Sequence, residues 1–346
     1  MARTRQAQRH QAGFEAAGAA DVQVISDPAD GRSFGRRVRE LPGLGRFGGL
    51  VVLGSGAVPL ATPADRRRFV AAARTPGAAL SNNRYSADIT AIGGLGPLMN
   101  LPDLATDNAL PRWLAASAGY RVDDLRGRWR LAIDLDSPLD LLLVGSGRVA
   151  GIDPPPTVDL AGVLERLTGI ARAAADPGAE LVVTGRTSAG TLGWLERAAV
   201  CRIRALVEER GLRAGSDAAW TGGAGGHGRA PSGPGAGGHG RAPSSVLGML
   251  LDHQGPAALG SILSRLGDAA VVDTRVLLAH RLGRDEAAWP SAEDRFASDL
   301  LLADRIGDSW LRELTASALG AAIPVLLGGH TLVGPGLRLI VGRPGR

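Results

Sequence analysis

The segment LVVLGSGAVPLATPADRRRFV, residues 50–70, carries a strand, a glycine turn and a helix start in immediate succession. Leu50–Leu53 is a continuous apolar run, which is typical of a strand buried on both faces. The run breaks at Gly54-Ser55-Gly56, and Thr62 followed by Pro63 is a common way for a helix to begin. This order of elements predicts one unit of a sheet whose strands are connected by helices.

The same alternation continues on both sides of this segment. We expect strands at 21–26, 50–53 and 130–135, and helices at 33–41, 63–74 and 138–144. Parallel strands need long crossover connections, which are usually helices. Residues 1–150 are therefore predicted to form an α/β domain with a mostly parallel, helix-flanked sheet.

A second α/β region is predicted over residues 157–346, after the stiff proline run 153–156. The patterns indicate strands at 180–184, 269–272 and 323–327, helices at 159–175, 188–199, 291–303 and 309–319, and a strand or helix at 201–209. Residues 215–245 interrupt this region with a Gly/His/Pro-rich linker. The decapeptide GAGGHGRAPS occurs twice there, at 223–232 and 235–244, and repeats His227 as His239. Two histidines in a glycine-rich coil are a weak metal chelator, so we interpret this segment as a flexible linker.

Composition excludes several classes of protein. All 39 basic residues are arginine, so no lysine can form a Schiff base, and roles usually given to lysine fall to arginine, backbone N–H groups or metal. Cys201 is the single cysteine, which excludes an intrachain disulfide. The polar N-terminus and the absence of long apolar runs predict a cytoplasmic protein without membrane contact. We interpret the basic runs at 36–37 and 66–68 as solvated helix faces, not as a nucleic-acid surface.

Three segments resemble one protein family, the MobA-like NTP transferases, which include the molybdenum-cofactor and phospholactate nucleotidyltransferases. Residues 50–70 resemble its third-strand motif, IDLDSPLDLLL (133–143) is similar to its Asp-x-Asp-Ser/Thr-Pro-x-Asp-Leu signature, and GAADVQVISDP (18–28) resembles its second strand. The resemblance implies a nucleotidyltransferase fold of the GT-A-like type. It also implies transfer of NMP from an NTP substrate to a small anionic acceptor with Mg²⁺, as in cofactor biosynthesis.

The chain departs from the family at two points. The Mg²⁺-binding Asp of the third-strand motif aligns with Ala57. The sequence also begins about where the helix after the family's Gly-rich loop should run, so either the start lies upstream or the grip on the triphosphate has been lost. The remaining candidates for both metal binding and catalysis are Asp134 and Asp136, because strand alternation would place both on one face. The alternative is that Asp136 caps the helix that follows.

The other candidate site residues lie in loops. Gly54, Ser55 and Gly56 follow a buried strand and could lie under the nucleotide. The acceptor would bind to a dense set of polar residues, in which Arg84 suits an anion: Asn82, Asn83, Arg84, Asp88, Asp107 and Asn108. An ordinary polar loop is the alternative for this set.

Two further hypotheses about function stay open. The chain could be a catalytically degenerate module that binds a nucleotide or metabolite, since Ala57 cannot hold a metal. It could also be an unrelated α/β enzyme with its site in the C-terminal half, around Thr184–Ser188 and His330. In that half, a Thr-Gly-Arg-Thr-Ser turn between a strand and a helix offers N–H groups and hydroxyls to an anion, and N-capping of the helix is the alternative role for its hydroxyls.

Overall fold

The computed structural model describes residues 2–26, 30–145, 149, 159–209 and 244–342. These residues form two compact units, which divide between Asp134 and Leu135. The fold is α/β, with one mixed and one parallel sheet. The proline run 153–156, nearly all of the expected linker and its two histidines lie outside the described residues.

The first unit contains a four-stranded mixed sheet in the order β1-β3-β2-β4. Its strands are β1 (Gly49–Leu53), β2 (Ala78–Ser81), β3 (Ile89–Gly93) and β4 (Arg121–Asp124). Strand β3 is antiparallel to β1 and β2, and β2 is parallel to β4. The expectation of a mostly parallel sheet was wrong here, because β2 and β3 are joined directly by the 82–88 loop, which is too short for a crossover.

Four α-helices accompany this sheet among the described residues: α1 (Ala2–Ala16), α2 (Phe34–Arg39), α3 (Pro63–Ala73) and α4 (Leu110–Ala116). The predictions of α2 and α3 are confirmed. Helix α3 begins with a capping box, in which the Thr62 hydroxyl accepts from the Asp65 N–H and the Asp65 carboxylate accepts from the Thr62 N–H. Its buried residue Phe69 belongs to the core on one side of the sheet.

Two strand predictions in the first half were wrong. Residues 21–26 have no regular secondary structure, and Trp129–Ala132 form a 3-10 helix where a strand was expected over 130–135. The alternating residues Leu131, Ile133 and Leu135 are all buried, as the pattern requires. They are buried by side-chain packing without belonging to a sheet. An isolated bridge between Ala57 and Asp134 connects this segment to the 54–59 loop.

The second unit contains a parallel sheet in the order β6-β5-β7-β8. Its strands are β5 (Glu180–Gly185), β6 (Arg202–Val207), β7 (Ala269–Asp273) and β8 (Val325–Gly328), so the predictions at 180–184, 269–272 and 323–327 are confirmed and 201–209 is a strand. The order reverses between β5 and β7, which is the position where open parallel sheets place their ligands.

The helices expected at 138–144, 159–175, 188–199 and 309–319 are confirmed, whereas the helix expected over 291–303 ends at Asp299. The helices of this unit are α5 (Pro138–Gly145), α6 (Ala161–Ala174), α7 (Ala189–Ala198), α8 (Val246–Gln254), α9 (Leu259–Ser264), α10 (Thr274–Leu282), α11 (Ala292–Asp299), α12 (Ser309–Leu319), α13 (His330–Val333) and α14 (Leu337–Val341). The division by contacts assigns α5 to this unit, whereas the sequence analysis placed it in the first domain. None of the helices in the described ranges combines the length and apolar character that a membrane span requires.

Candidate functional site

The first unit gathers three loops at one edge of its sheet. Strands β1 and β2 are both antiparallel to β3, and β4 is parallel to β2, so β1, β2 and β4 run in the same direction. Their carboxyl ends therefore meet at the same edge. The loops that begin there are 54–59, 82–88 and 125–128, and the first two contain most of the predicted site residues.

The 54–59 loop is fixed by backbone hydrogen bonds at both ends. Gly54 N–H donates to the Asp88 carbonyl (3.3 Å), and Val58 N–H donates to the Ile133 carbonyl (3.1 Å). Val58 has φ of 43°, an uncommon conformation for a β-branched residue, and it is fully buried. Such backbone strain persists only where the surrounding structure enforces it. The surface of this loop nearest the edge, at Gly54 and Ser55, is exposed.

The predicted substrate residue Asn82 is committed to the loop itself. Its side-chain amide donates to the Asp88 carboxylate (2.7 Å) and to the Leu131 carbonyl (2.8 Å). Its side-chain oxygen accepts from the Asp88 N–H (3.0 Å) and the Ile89 N–H (3.3 Å). Because all of its hydrogen-bonding groups are used inside the protein, Asn82 closes the loop and has no group left for a ligand.

Other polar residues of the set also shape the loop. The Asn83 side-chain oxygen accepts from the Tyr85 N–H (3.0 Å), an Asx turn that leaves the Tyr85 ring exposed. The Ser86 hydroxyl donates to the Asn108 side-chain oxygen (2.9 Å), which brings the 107–108 segment to the same edge. The structure therefore brings together both polar segments that the sequence analysis grouped.

An exposed aromatic ring lies at this edge, flanked by two guanidinium groups. Tyr85 is 52% exposed, and the guanidinium carbons of Arg84 and Arg126 lie 5.7 and 5.2 Å from its ring centroid. Arg126 pairs with Asp124 (2.7 Å), whereas the Arg84 Nε is buried without a hydrogen-bond partner. The sequence predicted a ligand-binding role for Arg84 but none for Tyr85 or Arg126. A tyrosine inside a polar loop, in a chain with only two, was the available signal.

The residues present do not reproduce the two-carboxylate magnesium site that the family resemblance implies. Ala57 lies opposite Asp134 in the isolated bridge and contributes no ligand atom. Within the described part of the chain, no group of three His, Cys, Asp or Glu side chains could hold a metal ion. In secondary structure, Asp134 forms only an isolated bridge and Asp136 has no regular element, so the single strand expected to display both does not form.

Ser137 and Asp140 cap the helix that follows, which is the role suggested as the alternative for Asp136. The Asp140 carboxylate accepts from the Ser137 N–H (2.8 Å) and the Asp136 N–H (3.1 Å), while the Ser137 hydroxyl accepts from the Asp140 N–H (3.3 Å). The Ser-Pro-Leu-Asp segment of the signature is thus a capping box for α5. Burial, together with the negative charges of Asp299 and Asp136, raises the pKa of Asp140 to about 7.

The second unit has its own charged group where the carboxyl ends of β5 and β7 meet. Arg186 donates to the fully buried Asp273 carboxylate from Nε (2.6 Å) and from Nη2 (3.0 Å). Gly185 makes this approach possible, since it has φ of 125° and a Cβ there would lie 2.2 Å from the Asp273 Cβ. Burial raises the pKa of Asp273, but Arg186 outweighs this effect and the pKa lies below its usual range.

A second ion pair extends this group. Arg275 donates to both carboxylate oxygens of Asp299, one of them at 2.6 Å, and to the Thr274 hydroxyl (2.9 Å). Both hydrogen-bonded pairs are satisfied inside the unit. The two ion pairs therefore connect the ends of β5, β7 and α11. His330 also helps to lower the pKa of Asp273. The Ser188 hydroxyl accepts from the Thr191 N–H (3.0 Å) and caps α7.

The comparisons with known proteins found no match. This chain matches no family model, no curated protein and no solved structure. Its function therefore has to be argued from its own residues.

Proposed function

We propose that the first unit binds a nucleotide at the carboxyl edge of β1, β2 and β4. The observation that carries this proposal is the exposed Tyr85 ring between the guanidinium groups of Arg84 and Arg126. A nucleobase can stack on an exposed aromatic ring, and such stacking is worth about 1–3 kcal/mol per base. The same edge presents the exposed backbone of Gly54 and Ser55 to the ligand.

Arg84 supplies the contact to phosphate in this proposal. Among the described residues it has no carboxylate partner, so an anion need not displace an existing ion pair. Arg126 is held near Tyr85 by Asp124 and strengthens the positive field at the ring. A planar guanidinium beside an aromatic ring favours a ligand that combines a flat group with an oxyanion. Nucleotides have both features.

Binding without metal-dependent transfer agrees best with the residues near Asp134. The Ala57 side chain is 1% exposed and is part of the apolar core, so it has neither the chemistry nor the position of a metal ligand. Asp134 is the carboxylate that the bridge to Ala57 places beside the 54–59 loop. The proposal is therefore a nucleotide-binding module that resembles the transferases but lacks their metal pair.

Nucleotidyl transfer to a small anionic acceptor is the second candidate, and the position of Asp134 favours it. Asp134 lies beside the 54–59 loop through its bridge to Ala57, as the resemblance to MobA-like transferases leads one to expect. Protein-bound Mg²⁺ commonly uses one or two carboxylates together with substrate phosphates. Activity would then require an NTP that arrives with its metal.

A thermal-shift panel with the four ribonucleoside triphosphates, each with and without Mg²⁺, tests the first proposal. A nucleotide present at about 100 times its dissociation constant should stabilise the first unit by about 2.7 kcal/mol. We expect a shift that does not need Mg²⁺, that weakens in Tyr85→Ala and Arg84→Met, and that survives in Arg121→Met. Arg121 is the matched control, because it is exposed at the opposite end of β4. No shift with any nucleotide would overturn the proposal.

Release of pyrophosphate separates the two candidates. The second candidate requires Mg²⁺-dependent release that Asp134→Asn abolishes. The binding module predicts a nucleotide-induced shift without release, whether or not an anionic acceptor such as a phosphorylated hydroxy acid is added.

A further inference from the structure

A basic group is buried between α1 and α3 in the first unit. Arg66 of α3 is 8% exposed and His10 of α1 is 5% exposed, while Arg9 lies beside them and is partly buried. Arg66 crosses α1 at Gly13, where a Cβ would lie 2.6 Å from the Arg66 Nε. The glycine thus provides the space that the guanidinium occupies.

Among the described residues, Arg66 is attracted by the charge of Asp65, but that carboxylate makes its hydrogen bonds elsewhere. Asp65 is hydrogen-bonded to Thr62 and to Arg128. Arg66 Nε is buried and has no hydrogen-bond partner in the described part of the chain. Burial lowers the pKa of Arg66 and the charge of Arg9 lowers it further, while the charge of Asp65 opposes both effects. A buried guanidinium nitrogen without a hydrogen-bond partner is costly, and a bound anion would offset that cost.

His10 adds a second unsatisfied atom to the group. Its Nε2 lies 2.8 Å from the Ala57 carbonyl oxygen and 2.9 Å from the Gln6 side-chain nitrogen, so this nitrogen is already engaged inside the protein. The other ring nitrogen, Nδ1, is buried without a partner. An anion placed here would favour a proton on Nδ1 and turn it into a second donor.

We propose that Arg66, with Arg9 and His10, binds a phosphate-type oxyanion between α1 and α3. The bound oxyanion would accept from the Arg66 guanidinium and relieve the repulsion between Arg66 and Arg9. Its source is free phosphate or the phosphate group of a nucleotide. The inference does not rest on the nucleotide site proposed above, because inorganic phosphate alone tests it.

The first test is thermal unfolding of the full chain in increasing sodium phosphate, against sodium chloride of equal ionic strength. We expect a saturable rise in Tm that is specific to phosphate. Arg66→Met keeps an unbranched apolar stem and should lose the rise, and Gly13→Ala should reduce it by displacing the guanidinium. Arg67→Met is the matched control, because Arg67 is its exposed neighbour on the same helix.

The outcome also identifies the source of the anion. A Tm rise with inorganic phosphate that depends on Arg66 supports a free oxyanion. A rise with nucleoside triphosphate that depends on Arg66 but survives in Tyr85→Ala supports the phosphate group of a nucleotide bound here. The proposal is overturned if neither ligand gives a rise that depends on Arg66.

A second measurement covers the case in which Arg66→Met does not fold. Phosphorus NMR of inorganic phosphate with the unmodified chain should show line broadening that added sulfate reverses. Narrow phosphate lines at all protein concentrations would contradict the proposal.

Discussion

Ala57 and Asp134 face each other in an isolated antiparallel bridge, and only one of them can carry charge. The Ala57 methyl group belongs to the core cluster that includes Phe14 and Phe69, whereas Asp134 is half-buried. The position that aligns with the metal-binding Asp of the family motif is thus part of the packed interior. An Asp at position 57 would therefore restore the sequence motif without restoring a metal site.

We expect Ala57→Asp to destabilise the first unit and not to create a metal site. The new carboxylate would be buried without a partner, which costs about 1–3 kcal/mol or more when the group is charged. Urea unfolding with and without Mg²⁺ measures both effects. Ala57→Ser, which adds a smaller polar group, should be less costly. A recovery of stability in Mg²⁺ by Ala57→Asp alone would contradict this prediction and favour the transferase candidate.

Asn82→Ala should be among the most damaging substitutions in the candidate loop. It removes hydrogen bonds to Asp88, Ile89 and Leu131 and leaves their backbone groups unsatisfied. We expect a loss of about 2–4 kcal/mol in the free energy of unfolding. The matched control is Asn83→Ala, which removes one turn hydrogen bond at a more exposed position and should cost about 0.5 kcal/mol or less. Equal costs for the two variants would refute the structural role of Asn82.

The stability of the first unit should fall as the pH drops below about 6.5. Burial lowers the pKa of His10 to about 4, against the opposing effect of its bond to Ala57 and with the help of Arg66 and Arg9. The folded state therefore resists protonation, so the unfolded state binds the proton first and stability is lost between pH 6.5 and about 4. The loss is on the order of 3 kcal/mol.

Unfolding in urea at a series of pH values measures this loss. His10→Gln should flatten the curve between pH 6.5 and 4, whereas His253→Gln, at an exposed position, should leave it unchanged. A curve for His10→Gln that matches the unmodified chain would exclude His10 as the source. Phosphate should also reduce the acid sensitivity if it binds beside His10.

The raised pKa of Asp140 predicts that the stability of the second unit falls as the pH rises. Its folded pKa of about 7 lies above the ordinary value, so the folded state holds a proton that the unfolded state releases. Stability from this group is complete below about pH 3.8 and is lost as the pH rises toward 7. Asp140→Asn keeps an acceptor for the Ser137 N–H and should remove the loss. Its stability advantage should therefore grow from pH 5 to pH 8, and Asp159→Asn, at an exposed position, should show none.

The Arg186–Asp273 pair should behave as one energetic unit. Either Arg186→Met or Asp273→Asn alone leaves a buried group without its partner, which we expect to cost about 3–5 kcal/mol. The double variant should cost clearly less than the sum, because it leaves neither partner unpaired. Urea unfolding of the four proteins gives the coupling energy. Additive costs would show that the two side chains do not stabilise each other.

The sequence by itself determined the elements whose signals are local. The apolar run at Leu50–Leu53 became a strand, and Thr62-Pro63 began a helix with the expected cap. In the second unit the apolar runs at 180–184, 269–272 and 323–327 became strands, since a parallel sheet gives continuous apolar strands that are easily recognised. The Asn- and Asp-rich loop at 82–88 was also identified, because its composition is local information.

Tertiary structure decided which of those elements meet. The direction of β3 depends on the short 82–88 connection and on pairing with β1, which no local pattern specifies. Alternation over 130–135 predicted burial correctly, but the strand that it also predicted was wrong, because a strand needs a hydrogen-bonded neighbour. The same reason explains Tyr85, Arg126 and Arg66. Tyr85 and Arg126 matter because they lie side by side, and Arg66 matters because its Nε is buried without a hydrogen-bond partner among the described residues; both relationships exist only once the chain has folded.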